Sequence, residues 1–109
     1  MGPARGLQKE SAPGLVGESV LIRRTEVEGH TLPDQSCLLF DQRSRTSLPI
    51  NESAGRIWHL CDGNHTLDQI VDDLASIYDA ERAQIDNDVR EFLAFLERHG
   101  FVERHSSFQ

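Results

Sequence analysis

The stretch Ile50-Asn51-Glu52-Ser53-Ala54-Gly55-Arg56-Ile57-Trp58-His59-Leu60-Cys61-Asp62-Gly63-Asn64-His65-Thr66-Leu67-Asp68-Gln69-Ile70 divides a chain that reads as strands before it and as helices after it. Asn51 or Ser53 can accept from the orphan N–H groups of a first helical turn, and Ala54, Ile57, Trp58 and Cys61 then share one face. Gly63 can take the left-handed conformation that closes a helix. Thr66 opens another almost at once. Gln69 stands three residues on, the spacing at which the hydroxyl and the amide side chain satisfy two backbone donors reciprocally.

Downstream, Leu67, Ile70, Val71, Leu74, Ile77 and Tyr78 repeat at helical spacing and predict a helix over residues 66–78 with an acidic outer face. Ile85, Val89, Phe92, Leu93 and Leu96 form a second stripe, on a helix that ends at Gly100. Phe95 lies about a quarter turn from the centre of that stripe, beside Asp88, Glu91 and His99, so it flanks the core. Phe101 and Val102 can close the end of the core.

Upstream, residues 1–18 hold Gly2, Pro3, Gly6, Pro13, Gly14 and Gly17 among few apolar side chains, the composition of a mobile tail. Residues 19–27 read as a first strand, and Glu28-Gly29-His30 with Pro33-Asp34 as a loop. Residues 36–40 and 45–50 read as a hairpin across the polar turn 41–44. Pro49 cannot donate to a ladder and belongs at a strand end or facing an open edge. The order is three strands, then three helices: a small α+β domain with its sheet on a helical trio.

With 109 residues, 38% of them hydrophobic, the chain supports one modest core and a stability of roughly 5 to 15 kcal/mol. The net charge of −7 repels phosphate backbones. No stretch is long and apolar enough to span a bilayer, and the N-terminus lacks the apolar segment of a secretory signal, so a cytoplasmic protein without membrane partners is expected. Cys37 and Cys61 lack CxxC spacing and read as buried free thiols.

His30, His59, His65, His99 and His105 do not converge with acids or thiols at any zinc spacing, and neither a nucleophile elbow nor a phosphate loop is present; no metal and no catalytic residue is assigned. The short turn 62–66 between two helices suits a helix-turn-helix, but the second helix carries Asp68, Asp72 and Asp73 and no Lys or Arg, which disfavours nucleic acid. A hairpin with an exposed outer strand can take up an extended peptide as one more strand. Equally, Pro49 with Arg43 and Arg45 can serve only to blunt that edge.

The run Leu48-Pro49-Ile50-Asn51-Glu52-Ser53-Ala54, then Ile57-Trp58-His59-Leu60-Cys61-Asp62-Gly63, then Thr66-Leu67 with Ile70, Leu74 and Tyr78, then Val89, Phe92, Leu93, Leu96 and Gly100-Phe101 resembles the PqqD family. These are the peptide chaperones of pyrroloquinoline quinone biosynthesis, also called RiPP recognition elements. The likeness covers residues 19–103, leaving residues 1–18 and 104–109 as tails. It implies a winged-helix-like fold of three antiparallel strands and three helices, without catalytic activity or cofactor. It also implies that the leader segment of a ribosomally made precursor docks as an added strand between the third strand and the third helix, for a modifying enzyme, often of the radical SAM type.

Carried onto this chain, the docking strand is Arg45, Thr46, Ser47, Leu48, Pro49 and Ile50, and the groove helix spans residues 84–99, with Asp88, Glu91, Phe95 and Arg98 toward the peptide. If Pro49 lies inside the ladder, Arg45 and Ser47 offer backbone groups at the open edge while Leu48 and Ile50 bond inward. Phe95 serves either as an apolar anchor or as packing against the first strand or a dimer mate. A homodimer is compatible with the sequence. A winged-helix DNA-binding protein and a structural or dimerisation domain without peptide ligand are the alternative readings.

Overall fold

A computed structural model describes residues 15–105. Its elements run β1 (Val20–Arg23), β2 (Val27–Thr31), β3 (Cys37–Asp41), β4 (Thr46–Ile50), α1 (Glu52–Leu60), β5 (Asp62–Thr66), α2 (Leu67–Ala75), α3 (Arg82–Arg98) and β6 (Val102–Arg104). The α+β class, the hairpin β3–β4 and the three helices follow the sequence-based expectation. The strands form two antiparallel sheets, ordered β2-β3-β4 and β5-β1-β6.

The first expected strand therefore breaks in two. Val27 N–H bonds back to Arg24 C=O at 3.1 Å, and the turn sends β1 and β2 into different sheets. Arg24 holds the corner by pairing with Glu26 and Glu103. Glu28-Gly29-His30, expected as a loop, is the middle of β2, because its backbone pairs with Phe40, Leu39 and Leu38. Gly29 is there for packing: a Cβ would stand 2.5 Å from Trp58 Nε1.

Helix α1 starts at Asn51, whose Oδ1 accepts from Ala54 N–H at 2.9 Å. Its other end differs from expectation. The helix stops at Leu60 with Cys61 as its cap, and Gly63, although left-handed at φ 82°, lies within β5. Arg23 donates to the carbonyls of Trp58 and His59, placing a cation at the negative end of the helix, and its guanidinium lies 5.8 Å from the Trp58 ring. The segment 62–66 is thus a strand on β1, not the tight turn of a helix-turn-helix.

Helix α2 carries the expected capping box: Thr66 Oγ1 accepts from Gln69 N–H, and Gln69 Oε1 from Thr66 N–H. It ends at Ala75, where the Ser76 hydroxyl donates to Asp73 C=O, so Ile77 leaves the stripe and is exposed. Helix α3 ends at a left-handed Gly100, as its sequence implies. Leu21, Leu39, Trp58, Leu67, Ile70, Val89, Leu93, Leu96 and Val102 fill the common core.

The ordered contacts reach beyond residues 19–103. Leu67 N–H donates to Ser19 C=O, Asp68 N–H to Gly17 C=O, and Arg90 to Leu15 C=O; at the other end His105 N–H donates to Val20 C=O. Of the tails expected at residues 1–18 and 104–109, residues 1–14 and 106–109 lie outside the described residues.

Candidate functional site

The hairpin β3–β4 is closed by a buried carboxylate. Asp41, 2% exposed, accepts from Arg43 N–H at 2.9 Å. Burial works to raise its pKa, but the Arg43 N–H, the Ser44 hydroxyl and the Arg43 guanidinium outweigh it and hold the group below the usual carboxylate range. Arg45 N–H then bonds to Asp41 C=O at 2.8 Å, with Arg45 left-handed at φ 62°. Strand β4 consequently starts at Thr46, and Arg45, expected within that strand, belongs to the turn.

The register decides which groups face outward. Gln42 N–H donates to Glu26 C=O and Leu32 N–H to Ser36 C=O, so the bonded pairs of β2 and β3 fall at the even positions of both strands. Cys37, Leu39 and Asp41 are left to bond β4, through Ile50, Leu48 and Thr46. Ser47 and Pro49 then turn their main-chain groups to the open edge. Pro49 lies opposite Leu38, where its missing donor costs the sheet nothing. Ser47 N–H, Ser47 C=O and Pro49 C=O are the outward row.

Side chains alternate accordingly. Leu48 and Ile50 are half-buried against the core, whereas Thr46, Ser47 and Pro49 are exposed. On α3, Phe95 is half-buried, its ring centroid 6.5 Å from that of Phe92 and 4.5 Å from that of His99. This aromatic row occupies one flank of the helix. The opposite flank is engaged elsewhere, since Arg90 reaches Leu15 and Glu97 pairs with Arg104 of β6. Asp88 and Glu91 are exposed and hydrogen-bonded to Gln84 and Asn87 along the helix. Arg98 sits nearly opposite Leu96 and points to solvent.

The link between strand and helix escapes the sequence reading. Arg43 pairs with Asp41 and Glu26, each at 3.7 Å, and its Nη2 lies 3.2 Å from where a Gly100 side chain would begin. One side chain thus reaches from the β3–β4 turn to the end of α3. Only the i, i+3, i+7 spacing of Phe92, Phe95 and His99 signals the aromatic row in advance.

Of the groups weighed for catalysis, Asp62 and His65 bond each other. Asp62 accepts from Asn64 N–H and bonds His65 Nδ1, both at 2.9 Å; burial pushes its pKa up, and these bonds bring it below the usual range. Burial pushes the Cys61 thiol up to about 12, and raises Cys37 as well, which leaves neither a thiolate nucleophile at neutral pH. Among the described residues no three His, Cys, Asp or Glu side chains gather as metal ligands, and no helix is long and apolar enough to cross a membrane.

Residues 36–102, from the start of β3 into β6, match the family model described as Coenzyme PQQ synthesis protein D (PqqD). The chain belongs to the PqqD family. It is 33% identical over 89 residues to the PqqA binding protein of Rhodopseudomonas palustris (strain BisB5), an alignment covering 74% of this chain and 87% of that one. With the PqqA binding protein of Methylococcus capsulatus (strain ATCC 33009 / NCIMB 11132 / Bath) it shares 44% identity over 55 residues, half of this chain and 57% of the relative.

Among solved structures, the PqqD truncation of Methylobacterium extorquens PqqCD, a functional and stand-alone RiPP recognition element, superposes with a TM-score of 0.70 at 25% identity, over 83% of this chain and 95% of that one. A lasso peptide synthetase B1 complexed with its leader peptide superposes with a TM-score of 0.66 at 26% identity, over 75% and 95%. The fold of this PqqD-family chain is therefore that of the recognition elements.

Proposed function

We propose that this chain is a non-catalytic recognition element that binds the leader segment of a ribosomally made precursor peptide and presents it to a modifying enzyme. The observation that carries this reading is the similarity over most of the chain to a PqqA binding protein, joined to an edge strand whose outward groups are Ser47 N–H, Ser47 C=O and Pro49 C=O. An extended leader adds to β4 as a fourth strand, its side chains reading Thr46, Ser47, Leu48, Pro49 and Ile50 on one side. Phe95, with Asp88 and Glu91 beside it on α3, forms the other wall, and Arg45 and Arg98 supply cations for a leader that carries carboxylates. The modifying partner is an enzyme of the radical SAM type, and the complex forms in the cytoplasm where precursors leave the ribosome.

A duplex-binding role has less support. Asp72 and Asp73 of α2 pair with Arg82 and Arg56, so the basic groups nearest that helix are already neutralised by its own carboxylates.

The test is a backbone-amide NMR titration with the leader half of a precursor peptide encoded beside the gene. Saturable shifts clustered on residues 45–50 and along residues 84–99 are expected. Ser47→Pro removes the one outward donor without touching the β3 ladder, and weakens binding by about twofold to tenfold, the value of one net hydrogen bond. Shifts centred on another surface, or an unchanged affinity in this variant, would overturn strand addition at β4.

A further inference from the structure

Strand β3, Cys-Leu-Leu-Phe-Asp, is apolar at consecutive positions and therefore on both faces, yet the fold covers one of them. An antiparallel strand with one face in water alternates apolar and polar residues; one that is apolar on both faces belongs between two layers. Cys37 and Leu39 lie in the common core, and α1 covers that side, with Trp58 beneath Gly29 and Gly55 over Cys37. Leu38 and Phe40 take the alternate positions, half-buried on the opposite face and outside that core.

The register extends this outer face across the sheet in two rows. His30, Leu38 and Pro49 form one, and Glu28, Phe40 and Ser47 the other. Leu32, the next even position, continues the pairing by donating to Ser36 C=O, and it is 38% exposed. At the rim, Glu28 contacts His30 at 3.2 Å and accepts from Gln42, so a carboxylate is held on the same face.

This face is continuous with the edge offered to the leader. Side chains of an added strand alternate between the two faces of the sheet whichever way the strand runs. Leader residues opposite Ser47 and Pro49 lengthen the two outer rows, whereas the intervening residues turn inward, toward Leu48, Ile50 and the wall that carries Phe95. One half of the leader's side chains is thus enclosed by this chain, and the other half is laid beside Phe40 and Leu38. Whatever receives a presented leader meets both at once.

We propose that the outer face of sheet β2-β3-β4, built from Leu32, Leu38, Phe40 and Pro49 and completed by alternate side chains of the bound leader, is the docking surface for the peptide-modifying enzyme. The enzyme meets it with apolar side chains and with a Lys or Arg opposite Glu28. The surface presupposes leader binding at β4 and adds to it the place where the enzyme sits. Because the leader supplies part of the surface, the enzyme binds the loaded chain more tightly than the empty one, and the leader is held more tightly in return.

Calorimetric titration of the full chain, with the precursor leader and with the peptide-modifying enzyme encoded beside the gene, tests it. Loading the native chain with leader is expected to raise its affinity for the enzyme by about fivefold or more. Phe40→Asp, and the milder Phe40→Thr whose β-branched side chain suits a strand, leave leader affinity unchanged and weaken capture of the enzyme by about tenfold or more. Glu28→Lys weakens capture by a smaller factor that shrinks with added salt. Alanine at leader positions opposite Ser47 or Pro49 lowers affinity for the enzyme, and at the intervening positions lowers affinity for this chain.

Enzyme affinity indifferent to leader loading, or to both Phe40 variants, would overturn the proposal while leaving leader binding intact. A leader that fails to bind the native chain would overturn the leader reading and the proposal together. Lost leader affinity in a folded Phe40→Thr chain would assign the face to the leader, and sedimentation showing the empty chain paired through Phe40 would assign it to a second copy; either overturns the proposal. Far-UV circular dichroism confirms that each variant is folded.

Discussion

Sheet β2-β3-β4 is made of segments adjacent in sequence and joined by two short turns, whereas sheet β5-β1-β6 gathers strands from the beginning, the middle and the end of the described chain. The first is held by local devices: a buried aspartate in one turn and left-handed residues in both. The second is held by what its strands cover, Leu21 and Val102 being almost fully buried against the helices. The difference separates the work of the two halves. The local sheet carries its backbone groups to two open edges, and the non-local sheet ties both ends of the domain to the helices that support that local sheet.

The comparison breaks most visibly at the core. Leu21→Ala in β1 and Leu39→Ala in β3 each remove a side chain with 1% or 0% exposure. Each is expected to cost about 2 to 5 kcal/mol, measured by urea unfolding followed through the single tryptophan, Trp58. Stopped-flow kinetics then distinguish them. If the hairpin sheet forms early because its contacts are local, Leu39→Ala slows folding and Leu21→Ala mainly speeds unfolding. The reverse order would show that the scattered sheet nucleates the fold.

The same contrast explains which parts of the structure could be read from the sequence. The Thr66–Gln69 capping box, the Asn51 cap, the apolar stripes of α2 and α3 and the β3–β4 hairpin all rest on residues a few positions apart. Strand β5, Asp-Gly-Asn-His-Thr, has no apolar alternation and exists because β1 lies beside it some forty positions earlier in the chain. Glu28-Gly29-His30 reads as a loop because the reason for its glycine, the Trp58 ring, comes from a distant helix. At the candidate site, the orientation of Pro49 follows from proline chemistry alone. The part played by Arg43 does not, since it depends on where the Asp41 turn meets the end of α3.

A smaller effect sharpens the comparison through pH. The Asp41 carboxylate is held below its ordinary pKa in the folded chain, so it binds protons more readily when unfolded. Its contribution is complete above the unfolded carboxylate value, about 4, and is lost as pH falls through the lower folded value. Asp41→Asn should therefore lower stability at neutral pH and flatten the acid limb of the stability curve, as seen in urea midpoints collected from neutral to acidic pH. An unchanged acid limb would transfer that pH dependence to the other carboxylates whose hydrogen bonds outweigh their burial, Glu26 and Asp34 in the turns of the local sheet and Asp62 in the other sheet.

The smallest expected change is a gain. Both turns of the local sheet place a non-glycine residue in the left-handed region, Gln35 at φ 76° and Arg45 at φ 62°, while the non-local sheet already has glycine at its one such position, Gly63. Gln35→Gly relieves a Cβ clash at the cost of a looser unfolded chain, and a net gain of about 0.5 to 1 kcal/mol in urea stability is expected. Because Gln35 N–H and Leu32 N–H bond through the backbone alone, to Leu32 C=O and Ser36 C=O, the turn keeps its hydrogen bonds after the substitution. A loss of stability instead would mean that the Gln35 side chain itself holds the loop, and that the local sheet is pinned at this turn by more than backbone geometry.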